Sequence, residues 1–175
     1  MLDIETAGSE PGSAILSIGA CYFGDDGVGD TFYRPVQLFS SLMAGLTVTT
    51  DALAWWRRQS PQVIAATQPL QGVVTLAEAL DSFAAFIDGA AALWAKGPDF
   101  DCVVLGAAYR ALGERQPWTF SHTRDVRTIM ALAGPVECPR RDGAMEHHAL
   151  SDAIEQADIV RACCSKIGRR IDSLQ

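Results

Sequence analysis

Apolar and polar residues alternate over Leu2, Asp3, Ile4 and Glu5. That is the period of a β-strand, and it turns Asp3 and Glu5 to one face and Leu2 and Ile4 to the other. The start is abrupt: either the first strand is short or residues precede Met1. Residues 6–12, with two glycines, a proline and small hydroxyl side chains, predict a loop. Residues 14–23 are rich in β-formers and predict a buried strand. Gly24-Asp25-Asp26-Gly27 predicts a turn and residues 30–36 its returning partner, a hairpin beside the first strand.

Helical periods follow. Thr50-Asp51 is read as the cap of a helix carrying residues 52–56, and Ser60-Pro61 ends it and opens another through residues 62–67. Thr75 with Glu78 is a capping box for a helix over residues 76–87, whose Leu76, Leu80, Phe83, Ala84 and Ile87 share one face. Residues 91–96 predict a short strand that Gly97-Pro98 breaks, with a helix over 99–112. Residues 118–121 are read as a further strand and 124–132 as a helix. Residues 134–145 predict a mobile loop before a long helix that begins near His148 and points Leu150, Ala153, Ile154, Ala157 and Val160 to the core. A hairpin beside a strand, followed by alternating helices and short strands, predicts a single α/β domain over residues 1–175.

Composition adds limits. The chain has 175 residues, enough to bury a core without staples, and is 49% apolar and 20% charged. No apolar run reaches bilayer length and no basic segment precedes an apolar stretch, the pattern expected of a soluble, unexported protein with no membrane partner, by default cytoplasmic. Five cysteines (Cys21, Cys102, Cys138, Cys163, Cys164), an odd number without C-x-x-C spacing, predict reduced, mostly buried thiols and speak against zinc. A net charge of −7 argues against a broad electrostatic footprint for nucleic acid. It leaves room for an enzyme that grips a few nucleotides through metal ions and local arginines.

The candidate chemistry lies at element boundaries. Asp3 and Glu5 share a strand face, Asp101 stands where a broken strand delivers a helix, and Asp152 follows the loop that holds His147. Such boundaries are where ligand sites form in open α/β sheets. Carboxylates in this number suit hard cations, Mg²⁺ or Mn²⁺, and two such ions can activate a water for displacement at phosphorus. His147 is then a candidate general base. Each residue also has a plainer reading: a solvated strand face for Asp3 and Glu5, a helix cap for Asp101, an exposed place on its helix for Asp152, and a polar loop for His147-His148.

Taken together, the pattern resembles the DEDDh branch of 3′–5′ exonucleases. Asp3-Ile4-Glu5-Thr6 matches that family's D-x-E-T motif, Asp99-Phe100-Asp101 its second motif, and residues 147–153 its H-x-A-x-x-D-A, in the same order. The details are similar to the small phage and bacterial group of 3′–5′ exoribonucleases: Trp55-Trp56 with Gln59-Ser60-Pro61, residues 94–101, and residues 124–128. The resemblance implies a ribonuclease H-like three-layer fold, a mixed central sheet flanked by helices. It implies hydrolysis of single-stranded RNA or DNA from the 3′ end to nucleoside 5′-monophosphates, RNA slightly favoured, by two Mg²⁺ or Mn²⁺ ions. Asp3, Glu5, Asp101 and Asp152 would hold the metal, His147 would deprotonate the attacking water, and Thr6 and Gly8 would dock the 3′-terminal nucleotide. Asp125 and Arg127 would support the site; relatives often pair as homodimers, although the sequence does not set the oligomeric state. Trp55 and Trp56 are read as structural, base stacking being the alternative. The rival functions are a metal-dependent hydrolase of short oligonucleotides and a non-catalytic nucleic-acid-binding protein on the same fold.

Overall fold

The computed structural model describes residues 1–69 and 71–174. Strands β1 (Leu2–Thr6), β2 (Ile15–Gly24) and β3 (Gly27–Pro35) form an antiparallel sheet in the order β1-β2-β3. The hairpin expected beside the first strand is therefore present. Alternation holds along β1, where Leu2 and Ile4 are buried while Asp3 and Glu5 are half-buried on the opposite face. Across the ladder Asp3 pairs with Gly19 and Glu5 with Ser17, and a bulge follows Glu5.

Five helices come between or after the strands as short segments: α1 (Leu38–Met43), α2 (Thr50–Trp56), α3 (Pro61–Thr67), α4 (Leu76–Phe86) and α5 (Asp101–Ala111). Strands β4 (Leu93–Ala95) and β5 (Thr123–Asp125) pair in parallel, and β4 also lies beside β1. Helices α6 (Val126–Ala133) and α7 (Ala149–Lys166) complete the chain.

The helices take opposite sides of the sheet, which makes three layers. Leu2, Ile4, Ile18 and Phe32 pack with Leu80 and Phe83 of α4 and Leu105 and Tyr109 of α5. The Tyr109 hydroxyl donates to the Leu80 carbonyl at 2.8 Å and ties these two helices together. On the other face Cys21 and Trp94 pack with Val126 and Ile129 of α6 and with Ala153, Ala157 and Val160 of α7. All five cysteines are free thiols, and four are buried.

Local chemistry explains several boundaries. Thr75 and Glu78 form the expected reciprocal capping box. Ser60 caps α3 with Pro61 at its first position, where the missing N–H costs nothing. Other expectations are corrected. The α2 cap is Thr49, whose hydroxyl accepts from Ala52 N–H, so Thr50 and Asp51 lie inside the helix. Residues 118–121 are not a strand: Trp118 is buried edge-on to Phe83 and Tyr109, and a 3₁₀ turn spans Phe120–His122. The strand is the polar triplet Thr123–Asp125, which pairing with β4 selects, so the helix expected from 124 starts at Val126. Helix α1 was not anticipated. It is anchored by tertiary bonds, Ser41 donating to the Ile15 carbonyl and Ser40 accepting from Leu76 N–H.

Helix α7 rests directly on β2. A Cβ at Gly19 would stand 2.2 Å from the backbone of Ala149 and Leu150, so only glycine admits the helix start there. Gly19→Ala should push α7 off the sheet and cost about 1–3 kcal/mol of stability, the usual range for overpacking. Urea denaturation checks this.

Candidate active site

The first turn of α7 faces the polar side of β1. Donor atoms of Glu5, His147 and Asp152 all lie within 4.8 Å of one another, close enough for one small cation, whose opposite ligands stand about 4.2 Å apart in an octahedron. Asp3 lines the same cleft as His147 and Asp152, a cavity of ≈ 360 Å³ shared with Lys96, Arg140, Glu146, Glu155, Gln156 and Ile159. Asp101 reaches β1 from the opposite layer. It is the first residue of α5, only 5% exposed, and its Oδ1 accepts the Ile4 N–H at 3.2 Å. It does not act as the side-chain cap of its own helix. All four acids and the imidazole, spread over the chain from residue 3 to residue 152, thus meet at one end of the sheet.

Their proximity has an electrostatic signature. Burial, reinforced by the charges of Asp101, Glu5 and Asp152, pushes Asp3 well above its ordinary range. Burial and the charges of Asp152 and Asp101 push Glu5 up to about 8. Burial raises Asp101 to about 7 against the opposing hydrogen bond from Ile4 N–H. Asp152 is also raised by burial, with Arg140 and His147 pulling the other way. Carboxylates crowded in this way favour protons unless cations stand between them. Hard oxygen donors plus one imidazole fit Mg²⁺ or Mn²⁺, and the buried thiols Cys21 of β2 and Cys163 and Cys164 of α7 lie in the core between sheet and helix.

The two histidines are held differently. His148 caps α7 through Nδ1, weakly at 3.4 Å, and stacks on Tyr33 at 4.3 Å between ring centroids. His147 joins the acids instead. Its φ of +57° is a left-handed conformation uncommon outside glycine, and the Thr67 hydroxyl holds its carbonyl at 2.9 Å. Trp55 meets the His147 ring edge-on at 4.7 Å. Its neighbour Trp56 donates from Nε1 to the Thr6 carbonyl at 2.8 Å. The doublet therefore touches both ends of the site.

Thr6 ends β1 half-buried, and its hydroxyl donates to the Gly8 carbonyl at 2.6 Å. Gly8 is buried, and a Cβ there would meet the Ser13 hydroxyl at 2.5 Å. Asp125 caps α6 through the N–H groups of Arg127 and Thr128. Arg127 lies against Gly97, and its charge favours ionised Asp101.

Two further cleft residues face the acids. Arg140 pairs with Glu155 at 2.7 Å, Glu146 at 3.1 Å and Asp152 at 3.7 Å. Gln156 donates from Nε2 to Asp3 Oδ1 at 2.7 Å. The available signal for Gln156 was its spacing, one helical turn beyond Asp152. An irregular loop brings Arg140 in.

Fold and donor set first define a class: a three-layer α/β protein with a carboxylate-rich cleft at one end of its sheet. Residues 1–164 match the model of the 3'-5' exoribonuclease Rv2179c-like domain, nearly the whole length, and the chain belongs to that family. A search of curated proteins finds no match. Among the described residues, no helix is long and apolar enough to cross a membrane.

The raised pKa values carry a stability consequence. Glu5 titrates near 8 in the folded, metal-free chain against an ordinary 4.5, so between those values the folded state holds more protons than the unfolded one. Stability from this group is complete at low pH and is lost as pH rises through about 8. In EDTA the melting temperature should fall as pH is raised from 4.5 to 8, and Glu5→Gln should flatten the fall, as read by thermal unfolding.

Proposed function

We propose that this chain is a metal-dependent 3′–5′ exonuclease of the DEDDh type, close to the small phage and bacterial exoribonucleases. It hydrolyses single-stranded nucleic acid, RNA in preference to DNA, and releases nucleoside 5′-monophosphates. The observation that carries the reading is the gathering of Asp3, Glu5, Asp101 and Asp152 beside His147 in a chain that matches an exoribonuclease family over residues 1–164.

Asp3, Glu5 and Asp152 would hold one divalent ion, and Asp3 with Asp101 a second. When bound, Mg²⁺ or Mn²⁺ lowers the pKa of a coordinated water and neutralises charge developing at phosphorus. His147, held by Trp55 and Thr67, accepts the proton of the attacking water. Thr6 and Gly8, where β1 leaves the sheet, border the place for the 3′-terminal nucleotide. Lys96 and Arg140 supply positive charge on the cleft wall for phosphate.

The test is a matched pair of 5′-labelled RNA and DNA oligonucleotides. Stepwise shortening is expected with Mn²⁺ or Mg²⁺, faster on RNA, with nucleoside 5′-monophosphates as product, and EDTA should stop it. Asp3→Ala, Glu5→Ala, Asp101→Ala and Asp152→Ala should each be nearly inactive. His147→Ala should lose roughly 10²–10⁴-fold in kcat, the range for general-base catalysis, while His148→Ala keeps most activity. No release from either polymer with metal present would overturn the nuclease reading, and the opposite histidine ranking would move the base to His148.

A further inference from the structure

The acidic corner is built as two rungs between β1 and α7. Asp3 and Glu5 stand two residues apart on a strand, about 6.8 Å along it. Asp152 and Gln156 stand four apart on a helix, about 6 Å along it. The two spacings nearly match, so each strand residue faces one helix residue. On the outer rung the Glu5 and Asp152 carboxylates lie within 4.8 Å. On the inner rung the Gln156 amide donates to Asp3 Oδ1 at 2.7 Å.

Gln156 is held in an unusual state. The residue is 6% exposed, and its amide oxygen is buried without a hydrogen-bond partner among the described residues. A buried acceptor left unpaired costs about 1–3 kcal/mol, and such groups tend to mark functional places. Both Gln156 and Asp3 line the cleft. The position is chemically demanding, since an acid there would add like charge to four carboxylates and an apolar side chain would remove Asp3's donor. The neutral Gln156 amide meets both demands. Among the influences on Asp3, the Gln156 bond is the one that favours its charged form, against burial and three neighbouring acids.

We propose that Gln156 is a positioning residue for the metal-binding carboxylate of Asp3. Its N–H fixes the plane of the carboxylate and leaves the second oxygen for a divalent cation. This role rests on the metal-dependent reading above.

The experiment is calorimetric titration of the metal-free chain with Mn²⁺, alongside its thermal shift on Mn²⁺ addition. Gln156→Met keeps the length and removes both polar atoms. It should fold, by circular dichroism, and bind Mn²⁺ about 10–100-fold more weakly, the usual effect of losing a residue that orients a ligand. Its kcat at saturating Mn²⁺ should stay near that of the wild type, with the loss confined to the metal concentration needed. Gln156→Asn, which keeps the amide one methylene short, should fall between the two and serves if the methionine variant does not fold. Wild-type affinity in both folded variants overturns the role of Gln156 alone. A wild-type chain that takes up no Mn²⁺ overturns the metal-dependent reading and this role together.

Discussion

The repulsion among four carboxylates in a poorly hydrated corner is the constraint around which the rest of this molecule is arranged. Water cannot screen them fully, and each raises its neighbours' affinity for protons. The fold answers from three sides. The Ile4 N–H donates to Asp101, the Gln156 amide to Asp3, and the Arg140 guanidinium pairs with Asp152. These partners come from β1 itself, from α7 and from the loop before α7, so the charge balance of the site is a product of the whole tertiary arrangement. Unrelieved repulsion of this kind lowers the stability of the folded state.

The imidazole is fixed by a different physics. Aromatic edge contact and a backbone hydrogen bond hold His147 in a conformation that its own chain segment disfavours. Residues in sparsely populated backbone regions persist only where the surroundings over-determine them, and they gather at functional sites. Helices α2 and α3 provide those surroundings. Because Trp56 also grips the Thr6 carbonyl, the same short helix ties the end of β1 to the segment that carries the imidazole. Neither ring of the tryptophan doublet belongs to the buried core. Both stand half-buried at the site.

Much of the frame was legible in the chain itself. The alternation at Leu2, Asp3, Ile4 and Glu5 sets which face carries the acids, because strand geometry allows no other division. The Gly24–Gly27 turn, the Thr75–Glu78 box, the Ser60-Pro61 start and the origin of α7 beside His148 are local chemistry, and they stand where the sequence put them. The four acids and His147 were also marked in advance, by motif spacing. Their roles in catalysis belong to the proposal, but their meeting place does not: it is seen in the fold.

What the chain alone determined, then, was whatever depends on neighbours a few residues away: periodicity, caps, turns and the faces they expose. Tertiary structure decided what depends on distant partners. Thr123–Asp125 is polar and short, and it is a strand only because β4 lies beside it, while Trp118, with the composition of a strand, fills a gap between Phe83 and Tyr109. Gln156 and Arg140 matter here only through the particular carboxylate each one faces, which folding decides. Hydrogen bonds and ion pairs act over a few ångströms, and folding alone brings residues 3 and 156 within that reach.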